Sequence, residues 1–133
     1  LSTTPLILLH ICCIIEVSKG EYITLKRTFK EVPMFTRKWN ELGLTDEDLR
    51  KLENTLLEDP KSGKAIQGTG GLRKIRIPIG HQGKRGGGRV IYVDIEVKET
   101  IYFINVYIKN EQEDLTESER KAFKALINIL KEE

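Results

Sequence analysis

Apolar residues alternate with polar ones in the middle of the chain and recur at helical spacing on either side of it. Alternation is typical of half-buried strands, whereas apolar positions three and four apart are typical of amphipathic helices. We therefore predict strands over residues 23–32, 72–79, 90–95 and 101–109, and helices over 34–42, 45–59 and from 116 onward. Helices, then an antiparallel sheet, then a last helix indicate an α+β domain.

The ends of the predicted helices carry specific signals. Pro33 suits the first turn of a helix, and Gly43 suits the position after its end. Thr45 and Thr116 are each followed three residues later by an acid, which is the spacing of a capping box. The apolar faces of these helices are expected to lie in the core rather than in a functional site; they comprise Phe35, Trp39, Leu49, Leu52, Leu56, Phe123, Leu126, Ile127 and Leu130.

Residues 1–24 differ in character from the rest of the chain. They contain an apolar run over residues 5–15, which is too short to span a bilayer. No Lys or Arg precedes this run, although a signal peptide would place one there. We expect residues 1–24 to be a non-native or disordered extension, and residues 25–133 to form a single domain.

The charges of the chain are strongly polarised. Residues 60–93 contain eight Lys or Arg and no Asp or Glu, whereas the rest of the chain has an excess of acids. A basic stretch on an acidic frame is the electrostatic pattern of a surface that binds phosphate groups. The alternative is an ordinary solvated face with a mobile hairpin tip, and the complete lack of acids over this stretch argues against it.

Within the basic stretch, alternation displays charge on one side of a strand. Lys74 and Arg76 fall on one face, and the isoleucines between and after them fall on the other. A glycine-rich loop over residues 80–88 follows, and glycine lets a backbone approach a ligand closely. Because like charges at neighbouring strand positions repel each other, their presence indicates an anionic ligand.

The composition disfavours several functional classes. Cys12 and Cys13 are adjacent and are the only cysteines, which excludes a disulfide framework and suits a reducing cytoplasm. The two histidines come without a Cys/His cluster, which argues against a metal site. We therefore expect no metal, no cofactor and no membrane, and a cytoplasmic location.

Three motifs follow one another in the second half of the chain. They are residues 66–76, which contain GGLRKIR, residues 83–92, which read GKRGGGRVIY, and residues 107–116. Together they resemble the RelE/HigB-type toxins of bacterial type II toxin–antitoxin systems, within the RelE/ParE superfamily. The resemblance covers about residues 25–133, and it implies N-terminal helices packed on a small twisted antiparallel sheet.

This resemblance also implies a function and partners. The implied activity is cleavage of mRNA in the ribosomal A site, which inhibits translation. The implied partners are mRNA, the ribosome and a cognate antitoxin, expected to bind DNA through a helix-turn-helix, that covers the toxin and represses their operon.

The chemistry implied by the resemblance uses neither metal nor cofactor. The 2′-OH of RNA attacks the adjacent phosphate, while the protein aligns the groups, moves protons and stabilises charge. The RelE-type toxins that this sequence resembles rely on Arg, Lys and Tyr rather than on His and Glu. We accordingly assign catalysis to Arg73, Lys74, Arg76, Arg89, Tyr92 and Lys109, and binding of RNA or the ribosome to Lys61, Lys64, Lys84 and Arg85.

Individual roles stay open at several of these positions. Arg73 and Arg76 are expected to bind phosphate as planar clamps. Lys74 is a further phosphate contact or the general base; a lysine acts as a base only when neighbouring cations lower its pKa. Tyr92 stacks on a base, donates a proton or packs in the core, and His81 is expected to face solvent rather than to catalyse.

Two rival functions fit the same features. A ParE-like inhibitor of DNA gyrase would share the fold and the basic surface but would cleave nothing, and the density of Arg and Lys in both strand motifs disfavours it. A non-catalytic RNA-binding module would place aromatic stacking platforms between its basic residues. Only Tyr92 is available for that purpose here.

Overall fold

The computed structural model describes residues 7–17, 21–79, 87–109, 111 and 114–132, with side chains described from Arg27 onward. These residues form six strands, three α-helices and a short 3-10 helix. In chain order the elements are β1 (Ile7–Val17), β2 (Glu21–Glu31), α1 (Pro33–Glu41), α2 (Asp46–Glu58), β3 (Lys64–Ala65), β4 (Leu72–Ile77), β5 (Gly88–Ile95), the 3-10 helix Glu96–Lys98, β6 (Thr100–Ile108) and α3 (Glu117–Glu132). The α+β class predicted from the sequence is confirmed.

The strands form one sheet in the order β1-β2-β6-β5-β4-β3. Neighbouring strands are antiparallel except for β2 and β6, which run parallel from Thr28 opposite Thr100 to Glu31 opposite Phe103. The expectation of an antiparallel sheet therefore holds for all but one of the described pairs. The parallel pair arises because β6, the last strand, is inserted between β2 and β5. The short strand β3 lies between the helix predicted over residues 45–59 and the strand predicted over residues 72–79, where the sequence pattern gave no strand.

The first two strands form a long antiparallel hairpin, from Ile7 opposite Glu31 to Val17 opposite Glu21. Only the last four residues of β2 pair with β6, so β1 is the edge strand on this side of the sheet. The structure thus gives residues 7–17 a strand position, whereas the sequence pattern set them apart from the domain. That residues 1–24 are an extension of a domain starting at residue 25 stays a prediction.

The capping boxes predicted at Thr45 and Thr116 are confirmed. The Thr45 hydroxyl accepts a hydrogen bond from the Asp48 amide at 3.1 Å, and the Asp48 carboxylate accepts one from the Thr45 amide at 2.9 Å. Thr116 and Glu119 exchange the equivalent pair at 3.1 and 2.9 Å. Each box satisfies amide groups that the first turn of a helix would otherwise leave unpaired.

The core lies between the helices and the central strands. The Phe35 ring of α1 stacks on Trp39 at 5.3 Å and on Phe103 of β6 at 5.1 Å. All the predicted core residues of the helices are buried except Leu126, which is half-buried. In β6 every residue from Thr100 to Tyr107 is buried, so both faces of this strand are covered. Among the strands whose side chains are described, β6 is therefore closed to a ligand, whereas β4 has partly exposed residues.

Candidate functional site

The strand register brings a set of cations onto one side of the sheet. Residues directly opposed in neighbouring antiparallel strands point to the same face. Lys64 is opposite Lys74, and Arg76 is opposite Arg89. Lys74 and Arg76 are two positions apart on β4, so all four side chains share a face. We call these four residues, together with Lys109 just beyond the end of β6, the basic face.

A cavity of about 710 Å³ connects all five members of the basic face. Its remaining walls come from α1, α2 and the outer end of β4, which contribute apolar surface. Among the described residues that line it there are six cations and a single acid, Asp48. The other lining residues are Trp39, Leu44, Lys51, Leu52, Thr55, Ser62, Ile75, Ile77 and Pro78. A cavity with this charge attracts an anion.

Arg89 is the most deeply placed cation of the basic face, with 7% of its surface exposed. Its guanidinium donates a hydrogen bond from Nη1 to the neighbouring carbonyl of Gly88, at 3.1 Å. Among the described residues it has no ion-pair partner. A buried cation without a counter-charge costs several kcal/mol. The arrangement is therefore suited to an anion that enters the cavity and pairs with Arg89.

Lys74 is the member of the basic face that contacts a carboxylate. Its Nζ lies 3.6 Å from Asp114 Oδ1, and Asp114 Oδ2 lies 3.3 Å from Arg120 Nη2. Partial burial raises the pKa of Asp114, but the hydrogen bond from the Leu115 amide and the charges of Lys74 and Arg120 outweigh it and lower the pKa overall. Asp114 therefore stays ionised, and any anionic ligand of the cavity would compete with it for Lys74.

Tyr107 is a functional candidate that the sequence analysis did not single out. It is opposite Arg89 in the register of β5 and β6, so it lies on the same face. Its hydroxyl is buried and has no hydrogen-bond partner among the described residues. Burial and the charge of Asp114 raise its pKa, and Arg89 lowers it in part. The hydroxyl keeps its proton at neutral pH and can donate it. The signal in the sequence was its spacing of two from Lys109.

Arg73 and Tyr92 do not belong to the basic face, although both were predicted to be catalytic. They are opposite each other in the register and lie on the other side of the sheet. Arg73 Nη1 donates to the carbonyls of Gly63 at 2.8 Å and Lys61 at 3.2 Å. The hydroxyl of Tyr92, a fully buried residue, accepts from the Gly63 amide at 2.9 Å and donates to the Pro60 carbonyl at 2.8 Å. Both side chains are thus engaged in holding a loop.

The predicted RNA-binding residues are divided in the structure. Lys64 lies on the basic face, but Lys61 forms an ion pair with Glu96, whose pKa is lowered by that hydrogen bond and charge. Lys61 therefore lies beside Glu96 and is not among the residues that line the cavity of the basic face. Lys84, Arg85 and His81 lie outside the described residues, so their predicted roles stay predictions.

Two other kinds of site are absent from the described part of the chain. Within the described part of the chain, no group of three or more His, Cys, Asp or Glu side chains is arranged to hold a metal ion. Within the same part, no helix has the length and the apolar character needed to cross a membrane.

Two solved structures resemble this fold. One is an arginine-substituted mutant of the E. coli toxin RelE in the free state, with 19% identity, a TM-score of 0.50, and coverage of 71% of this chain and 93% of that chain. The other is the isolated E. coli RelE toxin, with 21% identity, a TM-score of 0.47, and coverage of 74% and 96%. At this level of identity the first likeness supports the fold alone.

A family model gives the stronger result. The model of the RelE toxin of the RelE/RelB toxin–antitoxin system matches residues 26–132. This match covers most of the chain and includes the whole basic face. It confirms the resemblance drawn from the sequence motifs, and with it the expectation of a cognate antitoxin partner. The chain belongs to the RelE toxin family, the toxins of toxin–antitoxin systems.

Proposed function

We propose that this toxin is an endoribonuclease that cleaves mRNA in the A site of translating ribosomes, and that the basic face binds the scissile phosphate. The observation that carries the proposal is Arg89, a buried guanidinium that pairs with no carboxylate among the described residues. A phosphate is the ligand that would supply the missing charge, since guanidinium groups bind phosphate oxygens through paired hydrogen bonds.

The reaction proposed here needs positioning and charge more than a dedicated nucleophile. The 2′-oxygen of RNA attacks the adjacent phosphorus, the bond to the 5′-oxygen breaks, and the products are a 2′,3′-cyclic phosphate and a free 5′-OH. One proton leaves the 2′-OH and another reaches the departing 5′-oxygen. The phosphorane between these steps carries extra negative charge, which preorganised cations stabilise.

The basic face, together with Tyr107, supplies a group for each of these tasks. Arg89 and Arg76, opposite each other, clamp the phosphate oxygens and stabilise the phosphorane. Lys74 is the proposed base or a further phosphate contact, and Lys109 closes the cavity on the side of β6. Tyr107, protonated beside Arg89, is the candidate donor to the leaving oxygen.

The proposed setting follows from this chemistry. The ribosome holds the mRNA in the shape that in-line attack requires, which is why the protein needs few groups of its own. The protein acts in the cytoplasm without a metal ion or cofactor. Its antitoxin is proposed to be a helix-turn-helix DNA-binding protein that represses the operon encoding both.

Primer extension on a defined mRNA, with and without translating ribosomes, tests the proposal. We expect cuts inside the reading frame that require ribosomes. Arg76→Ala should reduce cutting about 100-fold or more, as does the loss of one preorganised donor in other enzymes, and Arg76 is exposed, so the fold should tolerate the change. Lys124→Ala is the control, because Lys124 is an exposed cation of α3 outside the basic face, and should cut like the wild type.

Three outcomes would contradict parts of the proposal. Cuts on naked RNA would remove the ribosome from the mechanism. Equal cutting by the Arg76→Ala protein would remove the basic face from it. A folded wild-type protein that makes no cuts in either condition would overturn the nuclease activity, and a DNA supercoiling assay would then test inhibition of gyrase.

A further inference from the structure

Two of the motif side chains hold the loop that leads from α2 to β3. Arg73 donates hydrogen bonds to the carbonyls of Lys61 and Gly63 in this loop, at 3.2 and 2.8 Å. The Tyr92 hydroxyl accepts a hydrogen bond from the Gly63 amide at 2.9 Å and donates one to the Pro60 carbonyl at 2.8 Å. We call Arg73 and Tyr92 the clamp. Four hydrogen bonds within a few residues fix the position of the loop on the sheet.

The clamp leaves no free space at Gly63. A Cβ at this position would lie 2.7 Å from Tyr92 Cε1, 2.8 Å from its hydroxyl and 2.9 Å from the Lys74 carbonyl. These distances are shorter than van der Waals contact, so the backbone of the loop lies directly against the Tyr92 ring. A side chain at Gly63 would push the loop away from the sheet.

Lys64 follows the clamped loop immediately. It belongs to β3, which has only two residues and is exposed, so its own strand pairing secures it weakly. In the register it is opposite Lys74, and two ammonium groups in this relation repel each other. After β3, Ile66 is buried and its amide donates to the Leu72 carbonyl at 2.9 Å, so the clamp fixes the other end of β3, where Lys64 lies.

We propose that Arg73 and Tyr92 are positioning residues that hold Lys64 beside Lys74, so that both ammonium groups contact the RNA backbone. This inference rests on the proposed function, because it takes RNA to be the ligand of the basic face. It gives a role to two motif residues that do not reach the cavity. It also separates Lys64, as a binding residue, from Lys61 on the same loop.

The test measures binding of a short single-stranded RNA with 2′-O-methyl groups, which cannot be cleaved, over a series of salt concentrations. The logarithm of the association constant falls linearly with the logarithm of the salt concentration. Loss of one phosphate contact makes this slope less steep by about 0.7, which corresponds to about fivefold weaker binding at about 0.1 M salt. We expect this loss in Lys64→Ala. Tyr92→Phe removes the hydroxyl and keeps the ring, and it should give the same loss.

The double variant Tyr92→Phe/Lys64→Ala distinguishes positioning from general destabilisation. If the clamp acts through Lys64, the double variant binds no more weakly than Lys64→Ala alone. Gly63→Ala should weaken binding to the same degree without changing either clamp residue. Lys124→Ala, at an exposed position of α3 outside the basic face, should bind like the wild type. Fluorescence of the buried Trp39 reports in each case that the protein is folded.

The possible failures separate the inference from the proposed function. If Arg76→Ala leaves RNA affinity and its salt slope unchanged, the basic face does not bind RNA and the proposed function fails. If Arg76→Ala weakens binding but Tyr92→Phe does not, or if the effects of Tyr92→Phe and Lys64→Ala add, the clamp does not position Lys64. Should Tyr92→Phe fail to fold, Arg73→Gln at a half-buried position carries the same test.

Discussion

Glu53 of α2 provides a pH-dependent test of the packing between the helices and the sheet. Its side chain is 2% exposed, and its Oε2 has no hydrogen-bond partner among the described residues. Burial and the nearby charge of Glu31 raise its pKa from 4.5 to about 7, although Arg50 opposes the shift. Glu31 is itself buried, and its pKa is also raised, by burial and by Asp46, against a hydrogen bond from Thr36.

The direction of the pH dependence follows from the proton count. The pKa of Glu53 is higher in the folded state than in the unfolded state. Between pH 4.5 and about pH 7 the folded state therefore binds more protons than the unfolded state. The free energy of unfolding is therefore highest below pH 4.5 as far as this group is concerned, and it falls as the pH rises through 7. At roughly 1.4 kcal/mol for each pKa unit, the whole loss is at most about 3.5 kcal/mol.

Replacing Glu53 by Gln removes the charge and keeps the shape. We expect Glu53→Gln to be more stable than the wild type by about 1–3 kcal/mol at about pH 8, and nearly equal to it at about pH 5. Urea denaturation at several pH values, followed by the fluorescence of the single tryptophan, Trp39, gives the free energy of unfolding. Glu58→Gln, at an exposed position of the same helix, is the control and should change little.

The reasoning on Glu53 would be refuted by one pattern of results. If the Glu53→Gln protein loses as much stability between about pH 5 and pH 8 as the wild type, the buried carboxyl is not the source of the pH dependence. If it is less stable than the wild type at about pH 8, the ionised carboxylate makes favourable contacts that the described structure lacks.

Three further changes have expected outcomes. Asp114→Asn removes the carboxylate beside Lys74, so the affinity for single-stranded RNA should rise about two- to fivefold in an anisotropy titration; weaker binding would show that Asp114 orients Lys74 instead of competing for it. Thr45→Ala removes the capping box of α2 and should lower the free energy of unfolding by about 1 kcal/mol in urea; no change would mean that solvent replaces the cap. Deletion of residues 1–20 should leave ribosome-dependent cleavage intact, because the family match begins at residue 26; a folded but inactive product would make that segment part of the working protein.

The sequence predicted local features well, because local rules govern them. Both capping boxes and the helical core residues depend on spacings of three and four residues, which can be read directly. Alternation also placed Lys74 and Arg76 on one face, which the register confirms. The same alternation puts Arg73 on the opposite face, so its assignment to phosphate binding went against the pattern in its own strand.

Features that depend on distant parts of the chain could not be predicted in this way. The partners of Arg73 and Tyr92 are backbone groups of another loop. Every residue has a backbone carbonyl, so the sequence does not indicate which of them accepts a hydrogen bond. The pairing of Lys61 with Glu96 joins positions 35 residues apart. In β6 the alternation carries no information on the exposed face, since both faces are buried. The insertion of β6 beside β2 likewise depends on the whole topology.

The parallel pairing of β2 with β6 has a consequence for the timing of toxicity. Thr28 meets Thr100 across about 70 intervening residues, so the central part of the sheet cannot form until most of the chain has been synthesised. Contacts this distant in sequence make folding slow, because a long loop must close before any of them is gained. Lys109, the last member of the basic face, lies beyond this same strand. A nascent toxin therefore cannot assemble its complete site before Lys109 has been synthesised, which gives a newly made antitoxin an interval in which to act before the toxin folds.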